Sequence, residues 1–209
     1  MNEFRFIRII LMGFCLLTAL AGCIGGTSNP SKFYTLAQMD ADSAPVKSGT
    51  DAFVLVGPVT IPDYLDHAQI VTRSGSNELV INEFNRWGGS FESEITRSLV
   101  AGISKQLASR DAAVLSWKAG PLFSARNTFR IPVYIERFDG TPGGSVVLNV
   151  RWEIVAKGKD KEETSRFGEM TILEKVDGAS YEALVAAMQR ALGKAGKEMA
   201  DGINAAKGP

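Results

Sequence analysis

Phe129-Arg130-Ile131-Pro132-Val133-Tyr134-Ile135-Glu136 and, further on, Val146-Val147-Leu148-Asn149-Val150-Arg151-Trp152-Glu153-Ile154 are the stretches on which the fold turns. In the first, Phe129, Ile131, Val133 and Ile135 alternate with polar or less apolar neighbours; in the second, Val146, Leu148, Val150, Trp152 and Ile154 do the same. Successive side chains of a strand point to opposite faces, so a period of two predicts two strands, each with one buried face. Asp139-Gly140-Thr141-Pro142-Gly143-Gly144 reads as the turn between them. Lys157 to Thr164, a charged tip, leads to a third strand at Arg166 to Leu173, which predicts three antiparallel neighbours. Pro132 has no N–H to give to a ladder, so its strand is expected at an edge or with a bulge at that point.

Upstream, the period changes. Phe91, Ile95, Leu99, Ile103 and Leu107 recur every four residues, Ser90 is placed to cap, and Glu92 and Glu94 sit where a helix dipole favours negative charge. Downstream, Tyr181, Leu184, Val185, Met188, Leu192, Ala195, Met199 and Ile203 form one apolar stripe behind the cap residue Ser180. These are two amphipathic helices. Phe33 to Leu36 and the apolar run Ala52 to Val59 are expected as strands, the latter buried on both faces and broken by Gly57-Pro58 and Pro62. Ile70 to Thr72 and Glu78 to Ile81 flank the turn-rich Arg73-Ser74-Gly75-Ser76-Asn77, which suits a hairpin, and Ala112 to Leu115 is a short apolar segment. The order predicts an α/β (α+β) two-layer sandwich: one mixed, mostly antiparallel sheet covered by two amphipathic helices.

The chain of 209 residues opens with Arg5 and Arg8, a mostly apolar run Ile9 to Leu20, and then Leu20-Ala21-Gly22-Cys23. A positive start followed by about a dozen apolar residues is a signal peptide rather than a span, because crossing the hydrocarbon core takes roughly 20 residues. Leu20-Ala21-Gly22-Cys23 resembles the lipobox of bacterial lipoproteins, which implies cleavage before Cys23 and acylation of its thiol. The expected organisation is a lipoprotein signal peptide at 1–22, a lipidated flexible tether at 23–32, and one domain at 33–209. Cys15 leaves with the signal, so no disulfide forms within the mature chain. The residue after Cys23 is Ile24 rather than aspartate, which by resemblance to enteric lipoproteins implies the outer membrane, facing the periplasm.

Composition excludes several classes of function. Lys+Arg and Asp+Glu both number 23, leaving no basic footprint for nucleic acid. One histidine and two cysteines provide no usual zinc set, and no cofactor-binding or metal-ligating pattern is present. No Gly-x-x-x-x-Gly-Lys-Ser/Thr cradles nucleotide phosphates. A catalytic triad would need His67, the sole imidazole, and no nucleophile elbow accompanies it. The carboxylate pairs Asp63 with Asp66 and Glu92 with Glu94 fit turn initiation and helix-dipole placement. The chain therefore reads as a non-enzyme, with a periplasmic hydrolase as the rival from another class.

Val56-Gly57-Pro58-Val59-Thr60-Ile61-Pro62-Asp63-Tyr64-Leu65-Asp66, Gln69-Ile70-Val71-Thr72-Arg73 and Glu83-Phe84-Asn85-Arg86-Trp87 resemble the motifs of the ABC-type transport auxiliary lipoproteins, the paraquat-inducible protein C family. With the lipobox, the Phe33-Tyr34-Thr35-Leu36 strand and the last helix, this resemblance covers nearly the whole mature chain. It implies an outer-membrane lipoprotein that works with a mammalian-cell-entry (MCE) type periplasmic protein of an ABC transporter moving phospholipids or other hydrophobic molecules. Homo-oligomeric rings are also implied. Tyr64, Leu65, Arg73, Arg86 and Trp87 are candidate partner-contacting residues by motif position and side-chain chemistry, since Tyr, Trp and Arg dominate interface hot spots. The alternative for the same residues is structural, with Trp87 closing the end of the sheet. The alternative function is an outer-membrane lipoprotein that itself binds a lipid or apolar ligand between sheet and helix.

Radiolabelled palmitate is expected to enter the wild-type protein and not Cys23→Ala, which should fractionate as a soluble periplasmic protein or remain uncleaved. Absence of label from the wild type would remove the lipoprotein assignment.

Overall fold

A computed structural model describes residues 29–36, 50, 52–108, 112–119, 127–157 and 163–206, so the signal segment, Cys15, Cys23, most of the tether and the 40–51 loop lie outside the described residues. The elements run β1 (Lys32–Tyr34), β2 (Ala52–Thr60), β3 (Gln69–Ser74), β4 (Glu78–Trp87), α1 (Phe91–Gln106), β5 (Ala112–Ser116), β6 (Asn127–Gly140), β7 (Ser145–Lys157), β8 (Glu163–Lys175) and α2 (Tyr181–Ala205). Short 3-10 turns occupy Asp63–Leu65 and Trp117–Ala119.

The α+β sandwich is present, with a division that the pattern did not announce. Strands β5-β2-β6-β7-β8 make one five-stranded sheet, and β1-β4-β3 make a separate sheet of three. The meander β6-β7-β8 is antiparallel as expected, while β2 runs parallel to both β5 and β6. Val146, Leu148, Val150, Trp152 and Ile154 all face the core, and the helices lie on that face: a Cβ on Gly202 of α2 would come 2.6 Å from Ile154 Cδ1. Phe91, Ile95, Leu99 and Ile103 of α1 and Leu184, Met188, Leu192, Met199 and Ile203 of α2 are buried as their spacing predicts. Both caps form: Ser90 accepts from the Ser93 N–H at 3.3 Å and Ser180 from the Ala183 N–H at 3.1 Å.

Three expectations change. Strand β2 does not break at Gly57-Pro58 but continues to Thr60, and the register with β6 shifts between Val56 and Val59. This irregularity lies directly opposite Pro132, since Val56 pairs with Ile131 and Val59 with Val133. Two residues without ladder donors thus meet at one interruption, and β6 is accommodated as an interior strand rather than at an edge. Nor is β2 equally buried on both faces, for Val54, Val56 and Val59 are buried while Phe53 and Leu55 are half-buried. The third change concerns Asp139 and Gly140, which the turn-rich run placed in a loop. They are paired, opposite Val147 and Val146, because β6 carries a register shift between Ile135 and Arg137.

That shift changes the parity of the strand. Up to Ile135 the odd-numbered residues face the helices; beyond Glu136 the even-numbered Phe138 does, stacking on Phe91 of α1 at 5.6 Å. Arg137 and Asp139 are thereby turned to the opposite face, beside Asn149 and Val147.

Gly168 of β8 lies opposite Trp152, and a Cβ there would stand 2.4 Å from the indole carbons. Gly168→Ala should therefore destabilise the protein by about 1–3 kcal/mol, the usual cost of overpacking, in a urea unfolding measurement. An unchanged midpoint would mean that the indole moves aside freely.

Candidate functional site

Two of the motif residues, Tyr64 and Arg73, converge on a carboxylate. Asp139 is fully buried and accepts hydrogen bonds from Arg73 Nε at 3.0 Å and Nη2 at 2.9 Å, from the Tyr64 hydroxyl at 2.9 Å, and from Arg137 Nε at 3.1 Å and Nη2 at 3.0 Å. Tyr64 comes from the 3-10 turn that the Pro62 carbonyl closes by accepting from the Leu65 N–H at 2.9 Å. Arg73 comes from β3 and Arg137 from β6 itself. A further tie, Thr141 Oγ1 donating to the Arg73 carbonyl at 2.7 Å, locks the same crossing.

Burial by itself pushes the Asp139 carboxyl up, but the hydrogen bonds from Arg73, Arg137 and Tyr64 outweigh it and hold the group below the usual carboxylate range. The opposite shifts appear on its donors. The hydrogen bond to Asp139 raises Arg73, and burial followed by the bond to Asp139 raises Tyr64. The cluster is a bidentate ion pair with satisfied partners, which suits position-holding; a group poised for proton transfer would titrate nearer neutrality.

Of the five candidate contact residues, the structure brings Tyr64 and Arg73 together over Asp139. Leu65 is buried in the core, and Trp87 is buried and stacked on Phe91 at 4.6 Å, so neither presents its side chain to a partner in this fold. Arg86 is half-buried, opposite Phe33 of β1 and Gln69 of β3. The exposed rim of the same loop is Asp63, Asp66, His67 and Ala68. His67 therefore stands on the surface, and no group of three or more metal-ligating side chains occurs among the described residues.

Two residues escaped the sequence. Asp139 looked like a turn residue, and only its place after the bulge makes it the hub. Glu94 looked like a dipole-compensating acid; its buried carboxylate accepts from Thr35 Oγ1 at 2.8 Å and the Leu36 N–H at 2.9 Å, and it pairs with Arg97, fastening the end of β1 to α1. Spacing carries no signal for either. On the helix-free face, Tyr134, Arg151, Glu153, Phe167 and Glu169 line an open groove of about 500 Å3, floored by Trp152 and Gly168.

Residues 34–200 match the family described as ABC-type transport auxiliary lipoprotein component. The chain belongs to this family. It is 29% identical over 140 residues to the intermembrane transport lipoprotein PqiC of Escherichia coli (strain K12), covering 67% of this chain and 71% of that protein. The Shigella flexneri PqiC matches with the same figures. A crystal structure of an uncharacterized protein, 23% identical, superposes with a TM-score of 0.63 over 84% of this chain and 99% of its own, which supports the fold. Family membership makes the protein an auxiliary lipoprotein of ABC-type transport and points away from an enzyme. No described helix is long and apolar enough to cross a membrane.

Asp139→Asn should cost about 3–5 kcal/mol of unfolding free energy at pH 7, the loss typical when one partner leaves a buried ion cluster. A carboxyl with a depressed folded pKa contributes stability that is complete above its ordinary range, near 4, and is lost as pH falls through the lower folded value. The wild type should therefore lose this contribution below about pH 4, and Asp139→Asn should show a shallower acid slope. Urea titrations at several pH values check both; equal slopes would mean that Asp139 is not the titrating hub.

Proposed function

We propose that the protein is a non-enzymatic outer-membrane lipoprotein, anchored through Cys23 and facing the periplasm, that serves an MCE-type ABC system moving lipids or other hydrophobic solutes and so supports envelope integrity. The observation that carries this is the family match over residues 34–200, nearly the whole folded chain. The names of the relatives, intermembrane transport lipoproteins, agree with it. Its partner is a periplasmic MCE-type protein, met by the 61–66 loop and its rim, with assembly into a homo-oligomeric ring as part of the same proposal. Within the candidate set, Tyr64, Leu65, Arg73 and Trp87 frame this loop, and Arg86 with the exposed Asp63, Asp66 and His67 is what a partner would touch. Holding a loop rigid before binding reduces the entropy lost on association.

A second reading, that the protein itself binds a lipid or apolar ligand, is favoured by the groove at Tyr134 and Phe167. That site lies on the face opposite the helices, not between sheet and helix.

Co-purification separates the two. The acylated full chain, extracted in mild detergent, should retain the MCE-type protein, and Asp66→Arg combined with Arg86→Glu should lower that recovery at least tenfold with melting unchanged, as loss of about 1.4 kcal/mol or more of binding requires. Wild-type protein that brings down extractable lipid and no MCE-type protein would favour the second reading.

A further inference from the structure

We infer that the tip of the β3–β4 hairpin rests on the lipid surface to which the chain is anchored, so that the small sheet is a membrane-contacting foot. The inference rests on acylation of Cys23. Its starting observation is a concentration of exposed apolar side chains where a folded domain normally carries polar ones: Leu79, Val80 and Ile81, at the turn end of β4, are each 36–45% exposed. Leu79, Val80 and Ile81 are consecutive, so the strand offers apolar groups on both faces at its tip, a pattern that burial against one protein layer does not require.

Topology says what covers them. β1 runs parallel to β4, with Lys32 opposite Asn85 and Tyr34 opposite Trp87. Because the two strands share a direction, the chain arriving at Lys32 comes from the end of the sheet that carries the β3–β4 turn. From Asn85 back to Glu78 along β4 is roughly 23 Å at about 3.3 Å per residue. The nine residue steps from Cys23 to Lys32 extend to roughly 30–32 Å at most. A bilayer holding the acyl chains of Cys23 therefore lies less than about 10 Å beyond the hairpin tip when the link is taut, and meets the tip once the link shortens by that much. A water-exposed tip would then need a nearly straight link. Glu78 and Glu83 bracket the apolar run, and both are exposed. With those charges at its margins the contact is interfacial, with the aliphatic groups at the depth of the headgroup and upper acyl region.

The mature chain keeps no thiol other than the acylated Cys23, so an introduced cysteine takes a nitroxide label alone. The acylated full-length protein carrying Val80→Cys or Ile81→Cys is reconstituted in vesicles of phosphatidylethanolamine and phosphatidylglycerol. Leu173→Cys on β8 and Glu198→Cys on α2, both exposed and away from the hairpin, serve as controls. The expected result is a several-fold rise in the ratio of oxygen to nickel-chelate accessibility at positions 80 and 81, with positions 173 and 198 unchanged from detergent-free water. All four sites are on the surface, so folding is not at stake. Labels at 80 and 81 as accessible to nickel as that at 198, in protein that is acylated by mass spectrometry and sediments with vesicles, would overturn the inference and leave the anchor intact. Protection at 80 and 81 that appears only when an MCE-type protein is added would overturn it in favour of protein docking. Protein without acyl mass that stays in the supernatant would bring down the anchor reading and the inference together.

Discussion

A carboxylate buried away from water is expensive unless every lone pair is met, and Asp139 is met from three directions. Of its five hydrogen bonds, the two from Arg73 and the one from Tyr64 tie β6 of the large sheet to β3 of the small one and to the turn that carries Tyr64, and the two from Arg137 come from β6 itself. The rest of the arrangement depends on this crossing. Remove the charge and two guanidinium groups face each other across a site with nothing between them; remove the bulge and the carboxylate points into an apolar core. The register shift after Ile135 is what makes the carboxylate available, because it sends Phe138 to the helices and Asp139 to the other side within two residues.

Around that crossing the fold divides its two faces between different tasks. The helix face is closed by the stripes of α1 and α2, with Phe91 bridging Trp87 and Phe138 in a stack of three rings. The opposite face is covered at one end by the hub and left open at the other, where the groove lies between Tyr134 and Phe167. Glu94 makes a second charged tie, from α1 to the end of β1, and the Gln189 amide of α2 donates to the Leu36 carbonyl at 2.9 Å. The segment that follows β1 is therefore fastened to both helices.

The motif that marks the family acquires a physical meaning here. Gly57, Pro58 and Pro62 lead the chain off β2, past the interruption opposite Pro132, to the turn that delivers Tyr64. Arg73 closes the hub from β3, while Trp87 seals the junction of β4 and α1. Most of these residues build and orient the loop instead of forming its outer surface, which is left to short polar side chains such as Asp63, Asp66 and His67.

Local pattern was enough to read the helices, their serine caps, the β6-β7-β8 meander and the β3–β4 hairpin, because periods of 3.6 and two are imposed by the backbone on any chain that buries one face. The family resemblance singled out Tyr64, Leu65, Arg73, Arg86 and Trp87 as candidate partner contacts, and only the structure joins two of them, Tyr64 and Arg73, on one carboxylate. Local pattern did not tell that the hairpin would leave the main sheet, that β6 would run inside despite Pro132, or that Asp139 would be the centre of the site. Those depend on which strands become neighbours and on a single extra residue at Glu136. A bulge changes the face of every side chain after it without changing the composition of the strand, and its cost is offset only by long-range partners such as Arg73, 66 residues away along the chain. Tertiary structure alone decided the matter, because the interactions that choose between the two parities lie on different elements.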